Sequence, residues 1–364
     1  MKFNQFILAA FISTLFLASC TSDDENTPHH NPQGTYDIGA LVLNEGNYNG
    51  ANSEISYISF DLNTHYNSIF SGENASEVLG DVGQSIGFNG NLAYIVMNNS
   101  NKIQIVNRYS LLKVGSITAG LSQPRYIAFA NGKGYVTNWG GTGYVAVVDL
   151  GTNTVTSSIP VAATPNKIIA NAGKLYIAHN DYALGNTVTI INSTTNTISG
   201  TINVGDLPDE LDVDSNGVLW VSCMGKTDWV DSTNDTAGKI LKVNLATNTV
   251  TTTLTMPANT DHVSHFGLFG SNAYYTINSD IYKFPITSTA LPTSKAFTSA
   301  AIYIYGFAVK NNKIYIGDAK FFNTNGVVYV YSSGETFDPN PLGTLLTPTP
   351  IEVGVGPNGF YFNQ

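Results

Sequence analysis

The chain has 364 residues, of which 26 are acidic and 16 basic, and its formal net charge is −10. Recognition of nucleic acids requires a basic face, so this balance argues against a nucleic-acid partner and against binding anionic glycans through bulk charge. Charged residues make up only 12 % of the chain, whereas Asn, Thr, Ser and Tyr are abundant. Such a composition agrees with an exported surface protein.

The N-terminal segment has the pattern of a bacterial lipoprotein signal. Lys2 precedes a short apolar run over residues 6–17, which is too short to span a membrane as a helix. The Leu-Ala-Ser sequence before Cys20 matches a lipoprotein cleavage site. We therefore expect a signal peptide over residues 1–19 and lipidation of Cys20. The alternative is an ordinary secretory signal that contains a cysteine.

The acidic residues behind Cys20 indicate where the protein is sent. Residues 21–25 (Thr-Ser-Asp-Asp-Glu) resemble the export signal that Bacteroidota place behind a lipidated cysteine. The resemblance implies an outer-membrane lipoprotein that is anchored in the membrane by its acyl chains and faces the cell exterior. A solvated polar tether explains the same residues without an export role. Residues 20–38 are expected to be the lipidated cysteine and a flexible acidic tether.

From residue 39 onwards the sequence repeats itself. Clear copies of the unit start at residues 133 (Lys-Gly-Tyr-Val-Thr-Asn) and 174 (Lys-Leu-Tyr-Ile-Ala-His), and a second apolar alternation and a Thr-Asn-Thr turn follow. The marker residues of the seven copies are Leu41, Tyr94, Tyr135, Tyr176, Trp220, Tyr274 and Tyr315. Four short strands in a period of roughly 40–45 residues predict a β-propeller blade. The fold class is therefore expected to be all-β, with a seven-bladed propeller of four-stranded blades over residues 39–364.

The end of the chain predicts how the ring closes. Residues 355–362 form a Pro-plus-apolar strand with no marker strand after them, and the copy at Leu41 lacks such a strand before it. We expect the C-terminal strand to pair with the first blade, because closure removes exposed sheet edges. The longer steps after Leu41 and Trp220 predict insertions in loops of blades 1 and 5. Almost no helix is expected, because no helical periodicity of useful length is present.

The blades direct two sets of residues to one end of the central channel: those after the second strand and those around the start of the innermost strand. Both sets are rich in amides with aromatic side chains between them, which suits a large, flat, uncharged ligand edged with amides or hydroxyls. The predicted ligand-binding residues are Asn47, Tyr48, Gln84, Asn98, Asn99, Arg125, Trp139, Asn180, Tyr182, Phe321 and Phe322. Asparagines after strands often satisfy their own turns, which is the alternative for about half of them.

Two features of this set carry most of the argument. The aromatic residues Trp139, Tyr182, Phe321 and Phe322 fall in loops outside the strand alternation, where exposed rings mark binding surfaces. Arg125 is the only base beside a proline that starts a blade. It is placed to meet an anionic group of a ligand, and a structural hydrogen bond to neighbouring carbonyls is the alternative.

The sequence predicts neither a metal site nor a catalytic site. His262 and His265 lie close together, but no third ligand follows at a suitable spacing. The acidic run at Asp209 and Glu210 lacks the spacing of a calcium loop. No nucleophile elbow and no Ser-His-Asp set can be assembled from the spacing, so neither an enzyme nor a cofactor is expected. Cys223 is expected to be a small buried residue.

The repeat resembles a known family. The Tyr-Val-Thr-Asn sequence at residues 135–138 is the tetrapeptide that names the YVTN β-propeller repeats of surface-layer-like proteins, and the resemblance covers residues 39–364. Segments at residues 43–47, 80–85, 98–100, 124–127, 305–306 and 317–319 resemble one Bacteroidota subgroup. That subgroup is the lipid-anchored propellers that include the surface cobalamin-capture proteins. The insertion between Gly225 and Gly238, which contains Trp229, has no counterpart in its pattern.

Three functions are compatible with these patterns. The resemblance implies capture of a corrinoid (vitamin B12) and its delivery to a TonB-dependent outer-membrane receptor, with the corrinoid as transported ligand. The second is a structural or adhesive surface propeller whose loops bind proteins or glycans. The third is a lactonase-like hydrolase, since seven-bladed propellers also host that activity.

Overall fold

The computed structural model of the protein describes residues 33–335 and 338–363. Within these residues, 28 β-strands form seven four-stranded antiparallel sheets. The seven-bladed propeller predicted from the repeat is therefore confirmed. The predicted signal peptide, Cys20 and the export segment lie outside the described residues.

Blades 1 to 4 follow the chain order, and blade 1 also receives the last strand of the chain. Blade 1 contains β1 (Gly39–Asn44), β2 (Glu54–Ser59), β3 (His65–Tyr66) and β28 (Pro357–Asn363). Blade 2 contains β4 (Gly83–Asn89), β5 (Leu92–Met97), β6 (Lys102–Asn107) and β7 (Lys113–Ile117). Blade 3 contains β8 (Pro124–Ala130), β9 (Lys133–Asn138), β10 (Tyr144–Asp149) and β11 (Thr154–Pro160). Blade 4 contains β12 (Pro165–Asn171), β13 (Lys174–His179), β14 (Thr187–Asn192) and β15 (Thr197–Asn203).

Blades 5 to 7 complete the ring. Blade 5 contains β16 (Pro208–Val213), β17 (Val218–Cys223), β18 (Lys239–Asn244) and β19 (Thr249–Thr255). Blade 6 contains β20 (His265–Phe269), β21 (Asn272–Ile277), β22 (Asp280–Pro285) and β23 (Phe297–Thr298). Blade 7 contains β24 (Ile304–Lys310), β25 (Lys313–Asp318), β26 (Val327–Ser332) and β27 (Ile351–Glu352).

The marker tyrosines of the repeat join neighbouring blades. Each lies in the second strand of its blade, which is buried on both faces because adjacent blades cover it. The Tyr135 hydroxyl donates to the Ser193 carbonyl at 2.8 Å and contacts Asn196 Oδ1 at 2.9 Å, and both residues belong to the Thr-Asn-Thr turn of the next blade. Tyr94 reaches Asn153 of blade 3 in the same way, at 3.3 Å. The repeat therefore encodes contacts between blades as well as strands.

The closure predicted from the C-terminus is present. Strand β28 pairs antiparallel with β1, from Gly39 opposite Asn363 to Asn44 opposite Pro357. Arg108 lies near the Gly39–Asn363 end of this strand pair. It donates to Asn363 Oδ1 and to the Phe362 carbonyl, both at 2.7 Å. These bonds tie the closing strand to blade 2 as well as to blade 1.

Two features differ from the simple repeat. The insertion of blade 1 contains a short helix, α1 (Ile69–Glu73), which buries Ile69 and Phe70. Packing also begins before the expected boundary at residue 39. Tyr36 is buried, and its backbone N–H donates to the Tyr109 carbonyl at 2.9 Å. The insertion of blade 5 is a loop, as expected, apart from a single 3-10 turn over Ser232–Asn234.

No helix among the described residues is long and apolar enough to cross a membrane.

Candidate ligand-binding site at the channel mouth

The innermost strands begin at one end of the channel, which we call the mouth, and one equivalent position in each blade lines a cavity there. In each blade, the residue directly after the marker residue pairs with a residue of the inner strand. The lining position lies two residues before that inner-strand partner. We call these seven residues the polar ring: Gln84, Arg125, Asn166, Asp209, Ser264, Tyr305 and Asn358. The cavity that they line has a volume of about 230 Å³.

A β-bulge at the start of the inner strand brings a second layer of side chains to the same cavity. The register shifts between Pro124 and Ile127 in blade 3 and between Pro165 and Ile168 in blade 4, and blades 2, 5 and 7 have the same irregularity. Bulges re-aim side chains near functional sites. The residues after the polar ring therefore also line the cavity in three blades: Tyr126, Glu210 and His265.

Arg125 is the central side chain of the polar ring, and it is only 6 % exposed. Its Nε donates to Asn166 Oδ1 at 3.0 Å, its Nη2 donates to Tyr182 Oη at 3.0 Å, and its Nη1 donates to Gln84 Oε1. Every guanidinium nitrogen thus donates to an uncharged oxygen of a side chain. Arg125 therefore makes structural hydrogen bonds, which was the alternative to a contact with an anionic ligand. Its acceptors are the side-chain amide oxygens of Asn166 and Gln84 and the Tyr182 hydroxyl.

Arg125 also holds two aromatic rings at the mouth. Its Cζ lies 4.0 Å from the centre of the Trp139 ring, and Trp139 meets Tyr182 edge-on at 5.8 Å. A cation over an indole face is a favourable electrostatic contact. Tyr182 is 61 % exposed and has a left-handed backbone, with φ of 69°. The predicted residues Trp139 and Tyr182 therefore form one preorganised surface with Arg125.

A second aromatic group comes from blade 7. Tyr303 stacks on Phe321 at 5.4 Å, and Tyr305 meets Phe322 edge-on at 4.9 Å. Residues 320–322 all have left-handed backbones, with φ of 45°, 55° and 61°. Such strain in residues other than glycine costs energy and concentrates at functional sites. Gly356 has no Cβ, and a Cβ there would collide with the Phe322 ring.

Two carboxyl groups lie at the edge of the cavity. Glu45 Oε2 accepts from Tyr305 Oη at 2.6 Å and from Asn358 Nδ2 at 3.2 Å. Burial raises the pKa of Glu45, and these hydrogen bonds partly oppose the rise. Asp209 Oδ1 accepts longer bonds, from Asn166 at 3.4 Å and from Asn180 at 3.3 Å.

The charge state of Asp209 is sensitive to its surroundings. Burial, followed by the negative charge of Glu210, raises the pKa of Asp209 to about 7. Glu210 itself pairs with Lys167, with 2.6 Å between Glu210 Oε2 and Lys167 Nζ. The cavity lining thus holds three carboxyl groups and the positive charge of Arg125, and Lys167 pairs with one of the three carboxyl groups.

The structure divides the predicted residues into three groups. Gln84, Arg125 and Tyr182 line the cavity, and Trp139 and Phe322 support it from behind. Asn47, Tyr48 and Phe321 lie in exposed loops around the mouth. The amides of Asn98, Asn99 and Asn180 bond within the protein: Asn98 to the Pro124 carbonyl, Asn99 to Asn49 and Asp81, and Asn180 to Asp209 and the Tyr182 backbone.

Several cavity residues were absent from the predicted set. Asn166, Asp209 and Asn358 follow the proline that starts their inner strand, exactly as Arg125 does, and that shared position is the signal that would have found them. Tyr305 occupies the same repeat position without a proline before it, and Tyr303 lies outside that position. Glu45 also lines the cavity, where it accepts hydrogen bonds from Tyr305 and Asn358.

The two histidines considered as metal ligands point to different partners. His262 Nε2 lies 3.4 Å from Asp235 Oδ2, and His265 Nε2 lies 3.3 Å from the Ile304 carbonyl. Burial lowers the pKa of His265, which favours the neutral ring. Over the described part of the chain, no three His, Cys, Asp or Glu side chains are grouped to hold a metal ion. Cys223 is buried, which raises the pKa of its thiol to about 12.

The fold and the cavity define a class: a seven-bladed β-propeller with a polar cavity at one end of its channel. The chain belongs to the DUF5074 family, which is described as a domain of unknown function and matches residues 38–341. No curated protein matches the chain.

Solved structures share the fold at low sequence identity. A periplasmic gluconolactonase of Pseudomonas aeruginosa is 10 % identical with a TM-score of 0.66, and the match covers 90 % of this chain and 99 % of that one. A hydrazine synthase of Kuenenia stuttgartiensis is 14 % identical with a TM-score of 0.54, covering 74 % and 86 %. The dihydro-heme d1 dehydrogenase NirN is 11 % identical with a TM-score of 0.56, covering 92 % and 77 %. At these identities the similarity establishes the fold alone.

Proposed function

We propose that the protein is a surface lipoprotein that binds a corrinoid at the channel mouth and delivers it to a TonB-dependent transporter, without chemical conversion. One observation carries the proposal: the polar ring opens between two sets of aromatic rings, Trp139 and Tyr182 on one side and the blade 7 group on the other. Blades 4 and 7 lie on opposite sides of the channel, so a flat ligand has apolar surface at both edges and polar partners beneath it.

The chemistry of a corrinoid agrees with this arrangement. It is a broad, flat ring system with amides around its rim. The cavity of about 230 Å³ is smaller than the roughly 300–1,000 Å³ that encloses a drug-sized ligand, so a corrinoid would lie across the mouth with a side chain inside. Rings held in place by Arg125 and by the strained turn at residues 320–322 lose little freedom on binding, which favours affinity.

The proposed location and partner rest on the N-terminal sequence. Lipidation of Cys20 and the acidic residues behind it support an outer-membrane lipoprotein on the cell exterior, where a TonB-dependent receptor would collect the ligand. Protease digestion of intact cells tests this location. A protein that resists digestion until the cells are lysed would exclude surface exposure.

Calorimetric titration of cyanocobalamin tests the ligand. The experiment uses a soluble form that starts at Gln33, where the described propeller begins. We expect one-to-one binding that Trp139→Ala weakens ~30-fold, since Trp139 holds Arg125 and Tyr182 in place at the mouth and aromatic anchors carry much of the energy of an interface. Trp229→Ala is the matched control, because Trp229 is 92 % exposed and does not line the cavity. Absence of heat with the wild-type protein would refute corrinoid capture.

One observation favours adhesion as a second candidate. Trp229 and Val230 are 92 % and 96 % exposed at the tip of the blade 5 insertion. The loop is held in shape by hydrogen bonds from the Val230 and Asp231 backbone to Asp228 and from Asp228 N to Asp235. An ordered loop that presents two apolar side chains suits contact with another protein.

A further inference from the structure

Two carboxyl groups of the cavity accept hydrogen bonds from the protein through only one of their two oxygens. Glu45 bonds to Tyr305 and Asn358 through Oε2 alone, and Asp209 bonds to Asn166 and Asn180 through Oδ1 alone. Within the described part of the chain, Glu45 Oε1 and Asp209 Oδ2 have no hydrogen-bond partner. Both residues line the cavity, so it offers a ligand at least two free acceptors.

The donors of the cavity are arranged differently. Each nitrogen of Arg125 already donates to an uncharged side chain, at Gln84, Asn166 and Tyr182. Three of the five N–H groups of Arg125 are therefore used within the protein, and two remain. Lys167, the other cation, is paired with Glu210. Of the three carboxyl groups in the lining, Glu210 is thus paired with Lys167, whereas Glu45 and Asp209 each keep an open oxygen and share the single positive charge of Arg125.

We propose that this cavity is the specificity pocket of the site, and that it takes a primary amide of the ligand and rejects a carboxylate of the same shape. The amide NH₂ would donate to Glu45 Oε1, with Asp209 Oδ2 as the second open acceptor of the pocket, and its oxygen would accept one of the two N–H groups that Arg125 has not used. A carboxylate has no donor for these oxygens and would be repelled by them. The inference rests on the proposed function and names the chemical group of the ligand that this part of the site recognises.

The first test compares cyanocobalamin with its monocarboxylic acids, in each of which one side-chain amide has been hydrolysed. At pH 8, at least one isomer should bind about tenfold more weakly or worse, because like charges placed together are costly. Glu45→Gln should reduce that penalty to roughly threefold or less. Glu352→Gln removes one charge from the outer strand β27 and should leave the penalty unchanged. The proposal fails if all isomers bind as tightly as cyanocobalamin, or if Glu45→Gln leaves the penalty intact.

A second test does not depend on corrinoids. Nicotinamide and nicotinate are planar and differ only in the amide and the carboxylate, and saturation-transfer NMR detects weak binding of each to the soluble form. We expect a signal from nicotinamide that Glu45→Gln reduces, and little or none from nicotinate. If cyanocobalamin fails to bind but nicotinamide is preferred, the corrinoid is wrong and the pocket stands. Equal signals, or none from either probe, would overturn the pocket.

Discussion

The two ends of the ring differ in how closely they follow the repeat. At the end opposite the mouth, blades 3 to 5 turn through Asn153, Asn196 and Asn248, each with a left-handed backbone and a similar tight turn. At the mouth, the loops differ from blade to blade. The seven large apolar side chains with the highest exposure among the described residues all lie there: Tyr48, Tyr182, Leu184, Trp229, Val230, Ile302 and Phe321. The turns at the end opposite the mouth therefore keep the regular form of the repeat, whereas the loops at the mouth vary and present the exposed apolar side chains.

Two arginines show the same contrast in a single residue type. Arg108, at the opposite end, covers the Phe88 ring at 3.6 Å and bonds to the closing strand β28. Arg125, at the mouth, covers the Trp139 ring at 4.0 Å and bonds to loop and inner-strand side chains around the cavity. An arginine that stacks on an aromatic side chain and makes directed hydrogen bonds therefore helps to close the propeller at one end and shapes a binding surface at the other.

The largest effect should come from removing the strand that closes the propeller, because both ends of the molecule depend on the closed ring of blades. Deletion of residues 355–364 removes β28, the inner strand of blade 1, and with it the closure of the ring. We expect the unfolding temperature to fall by at least ~15 °C, with loss of cyanocobalamin binding, since unpaired edges and apolar faces become exposed. A melting curve followed by circular dichroism measures the change. An unchanged melting temperature would show that closure contributes little.

Much of this frame could be predicted from the sequence because the repeat is carried by side chains with local roles. The marker tyrosines and the Thr-Asn-Thr turns recur together, and in blades 3 and 4 the structure joins them by the Tyr135–Asn196 bond. Helix α1 could not be predicted, because its five residues lie in an insertion with no repeat and too few positions to show a helical period.

The site was predictable where the repeat spacing reaches it and where aromatic residues interrupt the repeat in loops, as at Trp139 and Tyr182. Gln84, Arg125 and Asn166 are 41 residues apart in turn, and the structure joins them by hydrogen bonds through Arg125. The contacts of Glu45 and Tyr305 link positions 260 residues apart and depend on how the ring closes. The stacking of Tyr303 on Phe321 depends on a left-handed turn that the sequence of residues 320–322 does not signal.

A smaller effect should separate the two arginines. Arg108→Ala removes two charge-assisted hydrogen bonds at the end opposite the mouth, so we expect a loss of about 2–3 kcal/mol in the free energy of unfolding and unchanged cyanocobalamin affinity. Arg125→Ala should lower both the stability and the affinity, since Trp139 and Tyr182 lose their support. Urea unfolding and calorimetry on both variants measure the two quantities. If Arg108→Ala weakened ligand binding as much as Arg125→Ala does, the division of roles between the ends would be wrong.

The smallest effect concerns pH, and it should have opposite signs at the two ends. The pKa of Asp209 is raised to about 7 in the folded protein, chiefly by burial, whereas an aspartate in an unfolded chain ionises near ~3.9. Between these values the unfolded state loses its proton first, so the contribution of Asp209 to stability falls as the pH rises from ~4 to 7 and levels off above that. Asp209→Asn should therefore raise the unfolding temperature at pH 8, by roughly 2–4 °C, and have a smaller effect at pH 5.

Asp149, in the blade 3 turn opposite the mouth, provides the matched comparison. Hydrogen bonds from the Thr152 and Gly151 backbone N–H groups lower the pKa of Asp149. The stability that it contributes is present at neutral pH and is lost as the pH falls through this lowered pKa, so Asp149→Asn should lower the unfolding temperature at pH 8. Thermal melts of both variants at pH 5 and pH 8 test the pair. If both substitutions lowered the unfolding temperature at pH 8, the protein would stabilise the ionised Asp209 as well as it stabilises Asp149. Asp209 would then not be an unsatisfied carboxyl group that is available to a ligand.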